Sequence, residues 1–245
     1  MISQESATGQ LVDAADPARI FYERSYAAQH RSESDLLGIS TQSLDAGNHR
    51  YSSAFRFLRE NPGLRVLELG YGGNGAVEQL APLALTYEVV DILDRSDPAR
   101  QPSNLKLHVS NLDKRFPFED GQFDVVIAMM VIEHLFDPFY AFAEVCRVAK
   151  CGANIFVNLP NVGSYKCRRD LLMGRLPVTS SNNWFEAREW DGGHLHYFTV
   201  DSVRQLASVS GLDIKSIEPV GAFAAVKRLW PSLLCHEITY CFEKM

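Results

Sequence analysis

The fold is decided by the stretch VLELGYGGNG, which occupies residues 66–75. Its first four residues predict a buried strand, its glycines predict a tight turn, and the residues from Ala76 onward predict a helix. Glycines allow the backbone to pass close to a ligand, and the unpaired amides at a helix start can bind the ligand's polar groups. The stretch therefore predicts a binding turn for a nucleotide or nucleoside.

Apolar runs alternate with amphipathic stretches on the carboxyl side of this turn. We predict an α/β fold with a doubly wound, mostly parallel seven-stranded sheet of the Rossmann-like type, N-terminal helices and an insertion after the fifth strand. The predicted strands cover residues 66–69, 87–90, 105–109, 125–129, 155–159, 214–220 and 238–242. Helices are predicted at 49–60, 76–83, 139–148 and 200–208, and another begins at Asp16-Pro17.

Three regions follow from this pattern. Residues 1–60 form an N-terminal helical arm, and residues 61–245 form the ligand-binding domain. Within that domain, residues 161–193 are too long for an ordinary connection and contain Trp184, Phe185 and Trp190. Because this insertion follows a central strand, we interpret it as a lid or substrate-binding element; a helix and loop that merely pack on the core are the alternative.

Composition narrows the class of protein. The net charge of −6 disfavours a nucleic-acid partner, which would require a basic face. The longest apolar run, 125–132, is far shorter than the roughly 20 residues that span a bilayer. The first residues lack the features of a signal peptide, and five cysteines without a C-x-x-C pair favour reduced thiols. We therefore expect a cytoplasmic location, no membrane span and no metal site.

The glycine turn alone does not choose a ligand. Gly70, Gly72 and Gly75 also satisfy G-x-G-x-x-G, the dinucleotide fingerprint, and Asp91 follows at a suitable distance for a ribose. Glu68 favours another ligand, because a carboxylate at the end of the first strand would repel a pyrophosphate and attract an ammonium or a sulfonium. S-adenosylmethionine carries both cations. The alternative is that Glu68 is only a surface carboxylate at a strand end.

At this point the sequence resembles the class I S-adenosylmethionine-dependent methyltransferases. Four blocks carry the resemblance: VLELGYGGNG at 66–75, VVDI at 89–92, FPFEDGQFDVVIAMMVIEHLFDP at 116–138 and AEVCRVAKCGANIFVNLPN at 143–161. The blocks around IEHL at 132–135 and Arg50 are similar to the branch that contains ubiquinone-biosynthesis O-methyltransferases and methionine-biosynthesis W-type proteins. Asn74 replaces the usual third glycine of the turn.

The resemblance implies a set of cofactor-binding residues. It places Glu68 near the methionyl or ribose part of the cofactor, and Gly70 and Gly72 in close backbone approach. It makes Asp91 the acceptor for both ribose hydroxyls, because a carboxylate offers two acceptor oxygens.

Three further cofactor contacts are implied in the same way. Asn111 matches the polar position that reads the adenine amine, Met129 ends the fourth strand beside the cofactor, and Arg50 precedes the first strand. The alternative is that one or two of these positions are ordinary loop polar groups.

The chemistry determines whether a base is needed. Methyl transfer from a sulfonium is an in-line displacement that depends mainly on orientation, and a base is required only when a hydroxyl or thiol must lose its proton. His194 is our first candidate and His134 our second, since imidazole titrates near neutral pH. The alternative for His134 is a structural role at a helix start. His194 and His196 alternate like a metal pair, but no third ligand is evident.

These observations predict methyl transfer from S-adenosylmethionine to a small-molecule acceptor, with a hydroxyl oxygen favoured by the resemblance. A cofactor-binding regulatory or partner subunit without catalysis is the alternative, and a nicotinamide oxidoreductase survives only through the literal glycine fingerprint. A homodimer is compatible with the sequence.

Overall fold

The computed structural model describes residues 16–29, 44, 47, 49–71, 75–94, 101–180 and 190–245. The helices within these residues are α1 (Pro17–Gln29), α2 (Ser52–Glu60), α3 (Ala76–Leu80), α4 (Pro138–Val148), α5 (Tyr165–Leu172), α6 (Val200–Val209), α7 (Ala224–Lys227) and α8 (Pro231–Leu234). The strands are β1 (Arg65–Leu69), β2 (Thr86–Asp91), β3 (Leu105–Val109), β4 (Phe123–Met129), β5 (Ala149–Pro160), β6 (Leu212–Pro219) and β7 (Glu237–Lys244).

The seven strands form one sheet in the order β3-β2-β1-β4-β5-β7-β6. The neighbours from β3 to β5 pair in parallel, whereas β7 pairs antiparallel with both β5 and β6. This confirms the predicted doubly wound, mostly parallel sheet. The direction of connection reverses between β1 and β4, so their carboxyl ends border the crevice where such sheets bind ligands.

The central strands are buried on both faces, as their apolar sequences predict. In β1, Leu67 and Leu69 join the core cluster on one face, while Val66 joins the cluster on the other. The helix α2 packs on the Val66 face through Ala54 and Leu58. The boundary that we placed at residue 60 therefore lies at the end of a helix that belongs to the core, and the division into arm and domain stays a prediction.

Helix starts follow the local sequence. Asp137 caps α4 by accepting hydrogen bonds from the amides of Phe139 and Tyr140, with Pro138 at the first helical position. Thr199 caps α6 in a capping box with Ser202. At α1, the Asp16 carboxylate accepts from the amide of Ala18, which confirms the helix start predicted at Asp16-Pro17.

The predicted insertion, 161–193, contains α5 and a tight turn at Trp190–Gly193. Its residues Trp184 and Phe185 lie outside the described residues, and the Trp190 side chain is exposed. All five cysteines lie in described parts of the chain and none forms a disulfide. Among the helices that the structure describes, none is long and apolar enough to cross a membrane.

Candidate functional site

A cavity opens at the carboxyl ends of β1, β2, β3 and β4, the edge at which sheets of this type bind ligands. The walls combine apolar side chains with a few polar groups, and α1 contributes one residue from the side. The lining residues are Tyr22, Gly70, Asp91, Ile92, Asn111, Leu112, Asp113, Met130, Val131, His134 and Leu135.

Gly70 is the first residue after β1 and lines the cavity. Its φ of +80° lies in the left-handed region, and a side chain here would collide with Val131. The position therefore requires glycine, and the close approach to the cofactor that we expected for it stays a prediction. Gly72, the other glycine in that prediction, lies outside the described residues.

Asp91 ends β2 and is buried at the cavity wall. Its Oδ2 accepts a hydrogen bond from the Tyr71 amide at 2.6 Å, and its Oδ1 accepts from the Leu93 amide at 2.9 Å. A carboxylate has about four acceptor positions, so one side chain can fix the turn after β1 and also accept from a ligand. This location fits the predicted ribose contact.

Asn111 follows β3 and also lines the cavity. Its Oδ1 accepts from the Asp113 amide at 2.9 Å, and its Nδ2 donates to Asp16 Oδ2 at 3.1 Å. The Asp16 carboxylate also lies 3.3 Å from Lys114 Nζ, and these hydrogen bonds lower the pKa of Asp16, the bond from Asn111 most. The start of α1 is thus attached to the predicted adenine position.

Tyr22 brings the middle of α1 to the same cavity. Its hydroxyl donates to the backbone carbonyl of His134 at 2.9 Å, and its ring meets the His134 ring edge-on. The neighbouring Phe21 packs beside Gly193. From the sequence, Asp16 was identified only as a helix start, because no local pattern shows that its side chain bonds to a residue after β3.

Glu68 is fully buried and does not belong to the described cavity lining. Its two carboxylate oxygens accept hydrogen bonds from the hydroxyls of Tyr51 at 2.5 Å and Tyr87 at 2.6 Å. Burial raises the pKa of Glu68 to about 7, although both tyrosine hydrogen bonds oppose this shift. The side chain joins α2, β1 and β2, and its predicted contact with the cofactor stays a prediction.

Met129 and Met130, at the end of β4, have different surroundings. The Met129 side chain packs in the core cluster on the Val66 face, whereas Met130, with a φ of +57°, lines the cavity together with Val131. The contact predicted for Met129 stays a prediction. Met130 is a cavity residue that was not predicted from the sequence, because a single left-handed residue within an unbroken apolar run leaves no local signal.

Arg50 lies outside the described cavity lining and forms a two-point ion pair with Glu237 at the start of β7. Its Nε is 3.0 Å from Oε1 of that carboxylate, and its NH2 group donates to Oε2 at 3.2 Å. The Arg50 carbonyl also accepts from the Thr239 hydroxyl. Arg50 therefore ties the segment before α2 to β7, and its predicted cofactor contact stays a prediction.

Of the two candidate bases, His134 lies at the cavity. Its Nδ1 is 3.2 Å from the Gly193 carbonyl. A carbonyl can only accept, so Nδ1 carries the proton and Nε2 keeps a basic lone pair. Burial, assisted by the neighbouring His194, lowers the pKa of His134 to about 4, which keeps the ring neutral at pH 7.

His194 lies behind His134, with the two ring centres 4.8 Å apart. It is only 5% exposed, and its Nδ1 lies 2.7 Å from the Thr179 hydroxyl. Burial lowers the pKa of His194 as well. We ranked His194 first from the sequence, but the structure places His134 rather than His194 on the described cavity wall.

Glu133, His134 and His194 each have one potential ligand atom within 4.8 Å of the others. Glu133 is fully buried, neither of its oxygens has a hydrogen-bond partner within the described structure, and burial raises its pKa to about 8. Imidazole nitrogens and a carboxylate are donors that several divalent metals accept. The group does not contain His196, the partner that the sequence suggested for His194. Our expectation of no metal stays a prediction.

The fold and this cavity define the class of protein: a Rossmann-like α/β protein with a cavity at the switch point of its sheet. A family model described as a methyltransferase domain matches residues 45–217, and the chain belongs to that family. This match agrees with the resemblance to the class I S-adenosylmethionine-dependent methyltransferases, whose cofactor is S-adenosylmethionine.

Individual relatives agree with this assignment. A ubiquinone biosynthesis O-methyltransferase of Hahella chejuensis is 32% identical over 106 residues, which are 41% of this chain and 44% of that protein. The match therefore spans less than half of the curated relative.

Solved structures show the same fold. An S-adenosylmethionine-dependent methyltransferase from Mesorhizobium loti superposes with a TM-score of 0.62 at 16% identity, covering 82% of this chain and all of that one. The N-methyltransferase NodS from Bradyrhizobium japonicum, in complex with S-adenosyl-L-homocysteine, has a TM-score of 0.59 at 14% identity and covers 90% and 98% of the two chains.

Proposed function

We propose that this chain transfers a methyl group from S-adenosylmethionine to a hydroxyl oxygen of a small molecule. In this proposal the cofactor occupies the cavity, with its ribose hydroxyls on Asp91 and its adenine beside Asn111. The observation that carries the choice of oxygen is a neutral histidine, His134, that lines the cavity and has its proton on Nδ1 and a lone pair on Nε2. A hydroxyl acceptor must lose a proton during transfer, whereas an amine can react without a base.

The cavity itself supports a small acceptor. Apolar groups from Ile92, Leu112 and Leu135 line it, and the ring of Tyr22 adds an aromatic surface from α1. In this proposal Ile92 and Leu112 flank the cofactor, whereas Tyr22 and Leu135, which line the cavity together with His134, border the acceptor. Holding the acceptor in line with the methyl carbon and sulfur supplies on the order of 7 kcal/mol or more. The names of the curated relatives, which are O-methyltransferases, support the same acceptor atom.

The first test is cofactor binding without an acceptor. We expect S-adenosylmethionine or S-adenosyl-L-homocysteine at 100 times its Kd to stabilise the protein by about 2.7 kcal/mol. For a chain of this size that corresponds to a rise in Tm of roughly 5–10 °C by calorimetry. NADH at the same concentration is the control and should leave the Tm unchanged. Stabilisation by NADH alone would contradict the proposal and favour the oxidoreductase.

The second test identifies the acceptor atom. Release of S-adenosyl-L-homocysteine is measured with pairs of aromatic acceptors that differ only in carrying a hydroxyl or an amine on the same ring. We expect turnover with hydroxyl members of the panel and none with their amine partners. Turnover confined to the amines would refute an oxygen acceptor. Cofactor binding without turnover of any acceptor would favour the regulatory alternative.

A further inference from the structure

The turn at Trp190–Gly193 has an unusual backbone. Asp191, Gly192 and Gly193 have consecutive φ values of +41°, +65° and +81°, all in the left-handed region. Asp191 is the unusual member, because a residue with a side chain seldom adopts this conformation unless its surroundings enforce it. At Gly192 a side chain would collide with Ser180, so this arrangement requires glycine there.

The Asp191 carboxylate is what holds the turn. It is fully buried, and its oxygens accept from the amides and the hydroxyls of both Thr179 and Ser180, at 2.7–3.1 Å. Burial alone would raise the pKa of Asp191, but these hydrogen bonds outweigh burial and lower it. The carboxylate is therefore charged and binds the segment that follows α5 to the turn.

Thr179 connects the Asp191 carboxylate to His194 through its hydroxyl. A threonine hydroxyl has one proton, and Thr179 gives it to Asp191, which can only accept. In its 2.7 Å contact with His194, Thr179 must therefore accept, so Nδ1 of His194 carries a proton. Since the ring is neutral, its Nε2 carries no proton. The partner of one ring nitrogen thus sets the tautomer of the whole ring.

The same turn also orients His134. Its last residue, Gly193, presents the carbonyl that accepts from Nδ1 of His134. Both imidazoles thus have their Nδ1 protons held by groups of one turn, directly for His134 and through Thr179 for His194. The two rings then meet edge to face.

We propose that Asp191 is the positioning residue of this histidine pair. Its carboxylate fixes the turn, and the turn holds both rings in the tautomer with the proton on Nδ1 and the lone pair on Nε2. Asp191 touches neither ring as a hydrogen-bond partner and acts through Thr179 and Gly193. The catalytic role of this arrangement rests on the proposed function: the tautomer leaves the Nε2 lone pair of His134 available to accept a hydroxyl proton.

The test is a direct measurement of the tautomers. Long-range ¹H–¹⁵N correlation spectra of histidine-labelled, chelator-treated protein distinguish a protonated Nδ1 from a protonated Nε2, and His134→Gln and His194→Gln assign the signals. In the parent protein we expect both rings to carry the proton on Nδ1 at pH 7. Thr179→Val removes the acceptor for His194 and should move that ring toward the Nε2-protonated form. Thr179→Ser keeps the hydroxyl and should restore the parental signature.

Asp191→Asn extends the test to both rings. Because an amide nitrogen cannot accept, this variant should loosen the turn and change the signatures of His194 and His134 together. If it does not fold, as judged by thermal melting, the pair Thr179→Val and Thr179→Ser carries the test. Parental signals for His194 in Thr179→Val, or for both rings in folded Asp191→Asn, would overturn the inference. The spectra are recorded without a methyl acceptor, so their interpretation would be the same even if no methyl transfer were found.

Discussion

Replacement of His134 by glutamine is expected to slow methyl transfer to a hydroxyl acceptor by about 10²–10⁴-fold, the usual contribution of a general base. The reason is that glutamine lines the cavity with a similar side chain but cannot accept the proton at neutral pH. Affinity for S-adenosyl-L-homocysteine, measured by titration calorimetry, should stay within a few-fold of the parent. The change should therefore appear in kcat rather than in cofactor binding.

His196→Gln is the matched control, because His196 hydrogen-bonds to the carbonyl of Phe136, two residues after His134, but does not line the described cavity. It should retain the parental rate. The pH dependence provides a second check. Since the pKa of His134 is lowered to about 4, the acid limb of kcat/KM should lie well below the ordinary imidazole value of about 6.5. Parental turnover in His134→Gln would remove His134 as the base.

Asp91→Ala should weaken binding of S-adenosylmethionine by about 100-fold or more. Hydrogen bonds to a charged group contribute roughly 1.5–3 kcal/mol each, and the proposed ribose contact contains two. The variant also removes the acceptor for the amides of Tyr71 and Leu93, so a lower Tm is expected as well. Binding is measured by calorimetry at a temperature where the variant is folded.

Glu88→Gln is the control for Asp91→Ala. Glu88 belongs to the same strand, β2, but pairs with His108 and lies outside the described cavity lining. This variant should bind the cofactor like the parent. An unchanged Kd in Asp91→Ala would show that the ribose is not bound at this strand end.

The fold could be predicted from the sequence because burial on both faces of a parallel strand leaves an unbroken apolar run. The runs at 66–69, interrupted only by the buried Glu68, and at 125–129 are examples, and each lies in a strand of the structure. The positions of Asp91 and Asn111 could be predicted for a related reason. Asp91 is the last residue of one parallel strand and Asn111 lies two residues after another, and the carboxyl ends of such strands converge on one edge.

Side-chain direction and distant pairing could not be predicted in this way. A carboxylate near the end of a strand is expected to face the ligand, but the Glu68 side chain accepts hydrogen bonds from Tyr51 and Tyr87 instead. Arg50 meets Glu237 across 187 positions of sequence. Likewise, which of His134 and His194 lines the cavity depends on contacts with Asp191 and Thr179. Those contacts exist only after the insertion has folded. The D-G-G sequence at 191–193 was the available signal for that turn.

The burial of Glu68 and Glu133 makes folding of this chain a proton-binding reaction. Their pKa values rise from an ordinary 4.5 to about 7 and about 8, so between those limits the native state holds more protons than the denatured chain. The stability that these two groups contribute is complete below about pH 4.5 and is lost as the pH rises through 7 and 8. Urea midpoints compared at pH 7.0 and 8.5, above the ordinary imidazole pKa of about 6.5 so that the lowered pKa values of His134 and His194 contribute little, should therefore be lower at the alkaline value. A midpoint that rises over this interval would contradict protonated carboxyls in the native protein.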